Sequence, residues 1–245
     1  MTSPQKPKAW TLSPQLTAAP ELWRGCVFMV PFWEGVGVPF DIVRKSAGTV
    51  GNGSPDWIYL RQGLSSDHSA RGAWSFFDNS LITNLGDEMT NLVLMKESLE
   101  EATTDSEYIA GKNYGGGNTK WFYITKSSQE PFLGAFFWDD GNDNNLLNGN
   151  TEIIDNQPHL LAQTNSLKDN IREVWTDGTL EASGNAISGI TNNGPVVIGE
   201  RADFNASREY RGSILLHAMW NRRLRSHEIQ LLTRDPFAML RPAGF

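Results

Sequence analysis

The sequence is poor in three features, and each shortage excludes a class of protein. It has one cysteine, Cys26, so no internal disulfide can form, and its place in an apolar run predicts a buried, unreactive thiol. No apolar run reaches the roughly 18 residues of a membrane-spanning helix, and the N-terminus lacks the apolar core of a secretory signal. With 21 basic against 28 acidic residues, a formal net charge of −7, the chain lacks the positive field of a nucleic-acid-binding protein. We expect neither membranes nor nucleic acids as partners.

What the sequence does contain is the material of an all-β domain. Hydrophobic residues make up 39% of the chain, enough for a core, and 23 glycines and 12 prolines separate short apolar runs. Several runs alternate apolar and polar residues, which favours antiparallel sheets with one buried and one wet face. The predicted strands are Gly25–Trp33, Trp57–Leu60, Ala73–Phe77, Leu81–Asn84, Asn91–Lys96, Glu107–Ala110, Trp121–Thr125, Leu133–Trp138, His159–Gln163, Arg172–Thr176, Val196–Gly199 and Gly212–Trp220.

Three dipeptides predict tight turns between these strands. Asp177-Gly178 follows one short apolar run and precedes another, and it favours a type I′ turn in which both residues have positive φ. Asn148-Gly149 and Asn193-Gly194 give the same signal. Each of the three is therefore expected to join two strands.

A single segment favours a helix. Leu224–Leu232 brings its apolar residues to one face, with Ser226 as the predicted N-cap and Glu228 near the positive end of the helix dipole. Asp235-Pro236 is expected to end the helix, because the residue before a proline disfavours helical backbone. The sequence thus predicts one short helix near the C-terminus.

The first twenty residues have a different composition from the rest. They carry four prolines and few apolar side chains, which indicates an extended segment that forms no core of its own. Its apolar residues Trp10, Leu12 and Leu16 are predicted to anchor it on a partner. We therefore divide the chain into an N-terminal assembly arm at 1–20 and one folded domain at 21–245.

The order of motifs in the folded domain resembles the laminin-G-like branch of the concanavalin A-like lectin and glucanase superfamily. The last match, which combines a closing strand with a helix, is the most specific, whereas Gln157 and Pro158 replace a Trp and a His of the family pattern. The matching segments are Gly25–Gly37, Gly72–Asn79, Gln157–Ala162, Val174–Gly178, Val196–Gly199 and Tyr210–Leu232. The resemblance implies a jelly-roll sandwich of two antiparallel sheets, with Trp33, Trp74, Trp175 and Trp220 packed between them.

The same resemblance does not extend to a catalytic centre. The glycosidases of this superfamily place two carboxylates on one face of a strand in an E-x-D-x-E or E-x-D-x-x-E pattern, because retaining hydrolysis needs them about 5–5.5 Å apart. Neither pattern occurs in the sequence. The four histidines are scattered, and no pair has the spacing of a zinc site. We predict no catalytic residue, no cofactor and no enzyme activity.

One polar segment is a candidate ligand site. Oxygen donors are dense directly after the aromatic run that ends at Trp138, and such donors bind calcium. Asp140 and Asp143 are the candidate calcium ligands, and Trp138 is a candidate for stacking on a sugar. The competing interpretation is a polar hairpin loop, because Asp, Asn and Gly form turns whatever they bind. The candidate ligand-binding set is Trp138, Asp139, Asp140, Asp143 and Asn144.

These features favour a structural protein over an enzyme. An acidic jelly roll without a leader peptide, preceded by a proline-rich arm, is similar to virion proteins of tailed bacteriophages, which assemble in a reducing cytoplasm that suits an unpaired cysteine. We predict a capsid decoration or a head or tail fibre located in the virion. Its expected partners are a major capsid or tail protein, further copies of itself in a homo-oligomer, and a cell-surface glycan. The alternative is a free-standing carbohydrate-binding module that depends on calcium.

Overall fold

The computed structural model describes the chain from Ala19 to Arg241 with gaps. The described residues are 19–32, 38–53, 56–57, 64–65, 72–76, 85, 87–97, 106–112, 120–128, 133–140, 144–188, 194–199 and 210–241. In the strands at 50–57, 64–76, 120–121, 139–140 and 144 the description is of the backbone alone. The predicted strand Leu81–Asn84 and the anchors Trp10, Leu12 and Leu16 lie outside these residues, so both remain predictions.

Two large antiparallel sheets make up the domain, as predicted. An eight-stranded sheet contains β1 (Cys26–Val30), β5 (Asp56–Trp57), β6 (Leu64–Ser65), β8 (Glu88–Lys96), β13 (Pro158–Ser166), β14 (Ile171–Thr176), β15 (Thr179–Gly184) and β17 (Ser213–Trp220). A seven-stranded sheet contains β4 (Thr49–Gly53), β7 (Gly72–Phe76), β9 (Tyr108–Lys112), β10 (Lys120–Lys126), β11 (Leu133–Asp140), β12 (Asn144–Glu152) and β16 (Val196–Ile198). A small hairpin pairs β2 (Phe40–Asp41) with β3 (Ser46–Ala47).

The strand order sets which edges face each other. The eight-stranded sheet runs β15-β14-β13-β8-β17-β6-β5, with β1 also pairing with β17, and the seven-stranded sheet runs β12-β11-β10-β9-β16-β7-β4. Strands β12 and β15 therefore each occupy one end of a sheet. The β-sandwich fold and its antiparallel pairing are confirmed.

The central strands of the eight-stranded sheet are buried on both faces. Along β8, Val93 and Met95 point into the core between the two sheets, whereas Leu92 and Leu94 point into a second apolar cluster on the outer face. The expectation of one buried and one wet face is therefore wrong for the central strands of this sheet. The outer face of these strands does not meet solvent, because apolar side chains from other parts of the chain pack against it.

Two of the four scaffold tryptophans lie on the other side of the sheet from where they were expected. Trp175 and Trp220 belong to the outer cluster and not to the core between the sheets. Alternation predicts that neighbouring residues face opposite ways, but it does not tell which face meets the second sheet when both are apolar. Trp33 lies outside the described residues, and the side chain of Trp74 is not described.

The outer cluster is covered by the two ends of the described chain. A 3₁₀ helix at Pro20–Trp23, helix α1 (Ser226–Arg234) and a 3₁₀ turn at Ala238–Leu240 pack over it. The Trp220 indole donates a hydrogen bond to the Leu22 carbonyl at 2.7 Å, which ties the sheet to this cover. Ala19, which was assigned to the arm, is 1% exposed in the same cluster, and the division of the chain at residue 20 stays a prediction.

Helix α1 is confirmed, with a different N-cap. Its N-cap is Arg225 and not Ser226, and the Arg225 amide donates to the Glu228 carboxylate at 2.9 Å. Glu228, at the third helical position, accepts the amide of the N-cap residue, which is the glutamate half of a capping box. The helix ends at Arg234, directly before Asp235-Pro236, as predicted. In the described part of the chain no helix is long and apolar enough to cross a membrane.

Of the three turn predictions, one is confirmed, one is wrong and one lies partly outside the described residues. Asp177 (φ 50°) and Gly178 (φ 76°) both have positive φ and join β14 to β15, which confirms the type I′ signal. Asn148-Gly149 lies inside β12, so that prediction is wrong. The register of β12 against β11 shifts between Leu133 and Ala135, and the dipeptide lies at this bulge. Asn193 lies outside the described residues.

Cys26 fits the interpretation of an inert thiol. Its side chain packs against the outer cluster, and its Sγ donates to the Phe28 carbonyl at 3.6 Å. Burial raises the pKa of the thiol far above its ordinary value. The protonated thiol is a poor nucleophile, so the residue behaves as a small apolar side chain.

Candidate functional site

The two sheets are joined by side chains where their edge strands β12 and β15 meet. The Glu181 carboxylate of β15 accepts hydrogen bonds from the Thr151 hydroxyl at 2.7 Å, the Thr151 amide at 3.1 Å and the Asn150 amide. The Asn150 side chain donates in return to the Glu181 carbonyl at 3.1 Å. We call this region, with Trp138, Arg172 and Gly184 beside it, the seam.

The bulge in β12 explains why the seam is built this way. The register shift leaves the amides of Asn150 and Thr151 to pair with Glu181 instead of with β11. An edge strand with unpaired amides is prone to pair with another chain, so a carboxylate that accepts them protects the edge. Glu181 therefore closes this side of the sandwich without a continuous ladder.

A cation lies between the sheets beside this closure. The Arg172 guanidinium is 5.5 Å from the centre of the Trp138 ring, a distance at which a cation interacts with an aromatic face. Gly184 also lies against this guanidinium, since an added Cβ would be 3.0 Å from Arg172 Nε and 3.4 Å from Nη2. The guanidinium thus contacts both an indole ring and a stretch of backbone that has no side chain.

Arg172 makes no ion pair or hydrogen bond through its shielded nitrogens. Nε and Nη1 are closed off from solvent and have no hydrogen-bond partner. Desolvation lowers the pKa of Arg172 from its ordinary value, whereas hydrogen bonds from Arg223 to Glu173 and Asp169 raise the pKa of Arg223. An arginine remains charged in proteins despite such shifts, so Arg172 carries an uncompensated positive charge at the seam.

The residues predicted to bind a ligand lie next to the seam. Asp139 and Asp140 end β11, Asn144 begins β12, and Asp139 pairs with Asn144 across the hairpin. The hairpin interpretation of this segment is therefore confirmed. Asp143 lies outside the described residues, and among the described ones no group of three His, Cys, Asp or Glu residues could hold a metal ion. The calcium site remains a prediction.

Trp138 corrects one part of that prediction. Its side chain is 0% exposed in the core between the sheets, so its ring offers no face to a sugar at the surface. A tryptophan near the end of a strand can point into the core, and here the alternation of β11 directs Phe136 and Trp138 inwards together. Its role at the seam is to contact Arg172.

Sequence reasoning missed Arg172 and Glu181, the two charged residues that define the seam. Arg172 left a signal, because it alternates with Val174 and therefore shares the inward face of β14. A charge at an inward position of a strand is unusual enough to merit attention. Glu181 left none, since its partners lie 30 and 31 residues earlier in the chain.

Two histidines are fixed by hydrogen bonds. His159 contacts Asp177 through Nδ1 at 2.7 Å and Asp155 through Nε2 at 2.9 Å. Although burial opposes it, the bonds to Asp177 and Asp155 raise the pKa of His159. His217 is fully buried, contacts Asn91 Oδ1 at 2.7 Å, and has its pKa lowered to about 3 by burial. Both histidines serve the fold.

An aromatic row crosses the outer face of the seven-stranded sheet. The ring centres of Tyr108 and Tyr123 are 4.8 Å apart, as are those of Tyr123 and Phe137. This distance is the spacing of neighbouring strands, so each ring covers the face of the next. Tyr123 is only 6% exposed, and the row therefore stabilises the sheet and presents no open stacking platform at Tyr123.

The fold is similar to those of several solved structures that bind sugars or receptors. Trypanosoma rangeli sialidase in complex with sialic acid matches with a TM-score of 0.65 and 16% identity over 88% of this chain and 33% of the sialidase. Botulinum neurotoxin type C, described as depending on two ganglioside molecules to enter cells, matches with a TM-score of 0.63 and 13% identity over 86% of this chain and 51% of the other.

A third structure has a protein ligand. The binding domain of botulinum neurotoxin DC in complex with rat synaptotagmin II matches with a TM-score of 0.63 and 12% identity, over 86% of this chain and 51% of that one. At such identities the likeness concerns the fold alone, a β-sandwich of two antiparallel sheets. The chain spans about a third of the sialidase and about half of the neurotoxin chains. No protein-family model and no curated protein sequence matches it.

Proposed function

We propose that this chain is a non-catalytic, lectin-like module that binds a glycan at the seam and the neighbouring β11–β12 hairpin. The observation that carries the proposal is the shared fold with structures described with sialic acid and with gangliosides. Fold alone does not specify a ligand, so a site is needed as well. The seam is a candidate for that site, because the partly buried guanidinium of Arg172 lies beside a hairpin rich in Asp and Asn.

The non-catalytic part of the proposal rests on what the described carboxylates do. Glu181 binds the backbone of β12, Glu173 binds Arg223, and Glu228 binds Arg222. A glycosidase needs two carboxylates facing one substrate, one of them protonated at working pH. These three carboxylates are engaged by arginines and amides of the chain itself, so they do not form such a pair facing one substrate.

Glycan binding and sugar release test the proposal together. The tagged chain is applied to an array of neutral and acidic glycans, and hits are titrated by calorimetry. We expect saturable binding of at least one glycan class with no release of reducing sugar. Failure to bind any glycan, or sugar release that ends when one Glu is changed to Gln, would contradict it.

The hairpin residues have their own test. Titration of a bound glycan in calcium and in a chelator shows whether Asp140 and Asp143 act as calcium ligands, and the variants D140A and D143A serve as controls. We expect calcium to strengthen binding to the wild type only. Equal affinities under all six conditions, three proteins each in calcium and in chelator, would remove calcium from the proposal.

We also propose the finer role predicted from the sequence, a structural protein of a bacteriophage virion whose arm docks on a capsid or tail protein or on another copy. Its support is the proline-rich arm that precedes the buried Ala19. Deleting residues 2–18 spares Ala19 and is expected to leave the melting temperature within a few degrees while reducing oligomers in sedimentation. An unchanged assembly state, or loss of the fold, would contradict the role.

A further inference from the structure

The seam contains hydrogen-bond donors for which the described part of the chain supplies no acceptor. Arg172 Nε and Nη1 and the Trp138 indole Nε1 are all shielded from solvent without a partner. The guanidinium and the indole are also in contact with each other. Buried donors are nearly always paired in native proteins, so unpaired ones need an explanation. The Trp138 indole lies in the core, so the two guanidinium nitrogens of Arg172 are the donors that call for an oxygen acceptor.

Four other arginines have carboxylate partners. Arg44 pairs with Asp41, Arg222 with Glu228, Arg223 with Glu173, and Arg241 with Asp235. Arg172 is partly buried, and among the described residues the contact that compensates its charge is the Trp138 face. Leaving a charge in such a place costs stability unless something outside the chain compensates it.

Gly184 fixes the position of the guanidinium. Any side chain there would start 3.0 Å from Nε and 3.4 Å from Nη2, so glycine allows the guanidinium to lie directly against the backbone of β15. Nη2 is not among the nitrogens shut off from solvent. A ligand oxygen therefore meets Nη2 first and reaches the second nitrogen of the planar fork by a small movement of the arginine.

We infer that Arg172 binds the carboxylate of an acidic sugar at the seam. The guanidinium fork matches a carboxylate in shape, and one positive charge matches one negative charge. A dianionic phosphate is disfavoured, because the chain already carries a net charge of −7 and offers a single unpaired cation here. This inference rests on the proposed glycan binding and adds the class of sugar.

The test compares four probes on five proteins by calorimetric titration. The probes are 3′-sialyllactose, glucuronic acid, neutral lactose and acetate. The proteins are the wild type, R172M, R172K, G184A, and R223M as the matched control, because Arg223 is an arginine of the neighbouring network that already has carboxylate partners. Circular dichroism establishes that each variant is folded.

We expect the wild type to bind an acidic sugar at least about tenfold more tightly than lactose. R172M and G184A should lose that preference, R172K should keep part of it, and R223M should keep all of it. Equal binding of the acidic sugar by the wild type and R172M would overturn the inference, as would equal binding of lactose and 3′-sialyllactose by the wild type.

The outcomes separate this inference from the proposed function. Binding of neutral glycans without a role for Arg172 overturns the inference and leaves the lectin-like function standing. If acetate binds as tightly as the acidic sugars and R172M abolishes both, the site binds carboxylates without recognising the sugar. That result would overturn the inference that the ligand is an acidic sugar. No binding of any sugar overturns both.

Discussion

The seam and the outer cluster are two ways of finishing the same sheet, and they differ in how they treat charge. Over the outer cluster, Arg222 donates to both oxygens of Glu228 at 2.7 and 2.8 Å and also binds the carbonyls of Arg24 and Glu21. At the seam, the Glu181 carboxylate accepts hydrogen bonds from β12, but Arg172 has no carboxylate partner among the described residues. The charges over the outer cluster are therefore compensated within the chain. The seam contains donors without an acceptor among the described residues, which is the property expected of a binding site.

The outer cluster should therefore give the largest loss of stability. Trp220 is 0% exposed and hydrogen-bonded to Leu22. The variant W220A is therefore expected to lower the free energy of unfolding by about 3–5 kcal/mol, because packing is lost and a cavity is left. Urea denaturation followed by circular dichroism measures it. W220F, which keeps most of the volume, should lose clearly less, and equal losses would point to the hydrogen bond and not to packing.

The closure at the seam should contribute less than the outer cluster. E181A removes the acceptor of three hydrogen bonds from Asn150 and Thr151 and is expected to lower the free energy of unfolding by about 2 kcal/mol. E181Q keeps the shape and one acceptor oxygen, so it should lose about half as much. If E181A unfolds at the same urea concentration as the wild type, β12 does not depend on Glu181 for its place.

The sandwich was predictable from the sequence because its signals are local. Alternation and turn-forming residues indicate strands, and Asp177-Gly178 fixes one register by itself. Strand β12 was missed because its sequence, NNLLNGNTE, is made of turn formers, and it is held by its pairing with β11 and by Glu181. The seam is formed by segments that are distant in the sequence and meet only in the fold. The one local signal for it is the position of Arg172 on the inward face of its strand.

A smaller effect on stability is expected from pH, through the contacts that His159 of β13 makes with Asp177 and Asp155. The pKa of His159 is raised, so its ion pairs stabilise the fold fully below the ordinary histidine pKa of about 6.5, and this contribution is lost as the pH rises through the raised value. The pKa of Asp155 is lowered, so its contribution is present above its ordinary value and is lost as the pH falls through the lowered one.

The melting temperature of the wild type should accordingly fall slightly between pH 6 and 8, measured by calorimetry against H159Q. The effect is small because the side chains of Asp155 and Asp177 are 46% and 39% exposed and solvent screens them. The difference between wild type and H159Q should shrink as the pH rises. A constant difference over this range would show that His159 acts only through its neutral hydrogen bonds.

The smallest effect is the one that most sharpens the comparison between the two regions. R172M keeps the apolar stem and removes a charge that has no carboxylate partner, so the lost contact with Trp138, worth about 0.5–1 kcal/mol, is offset by the relief of desolvation. The free energy of unfolding should change by less than about 0.5 kcal/mol in either direction. R223M, by contrast, leaves the buried Glu173 carboxylate without its partner and should lose about 2 kcal/mol. Urea unfolding of the two variants side by side measures the difference. A loss in R172M as large as that in R223M would mean that Arg172 is a structural cation, stabilised by the sandwich in the absence of any ligand, and that the seam is finished by the chain in the same way as the outer cluster.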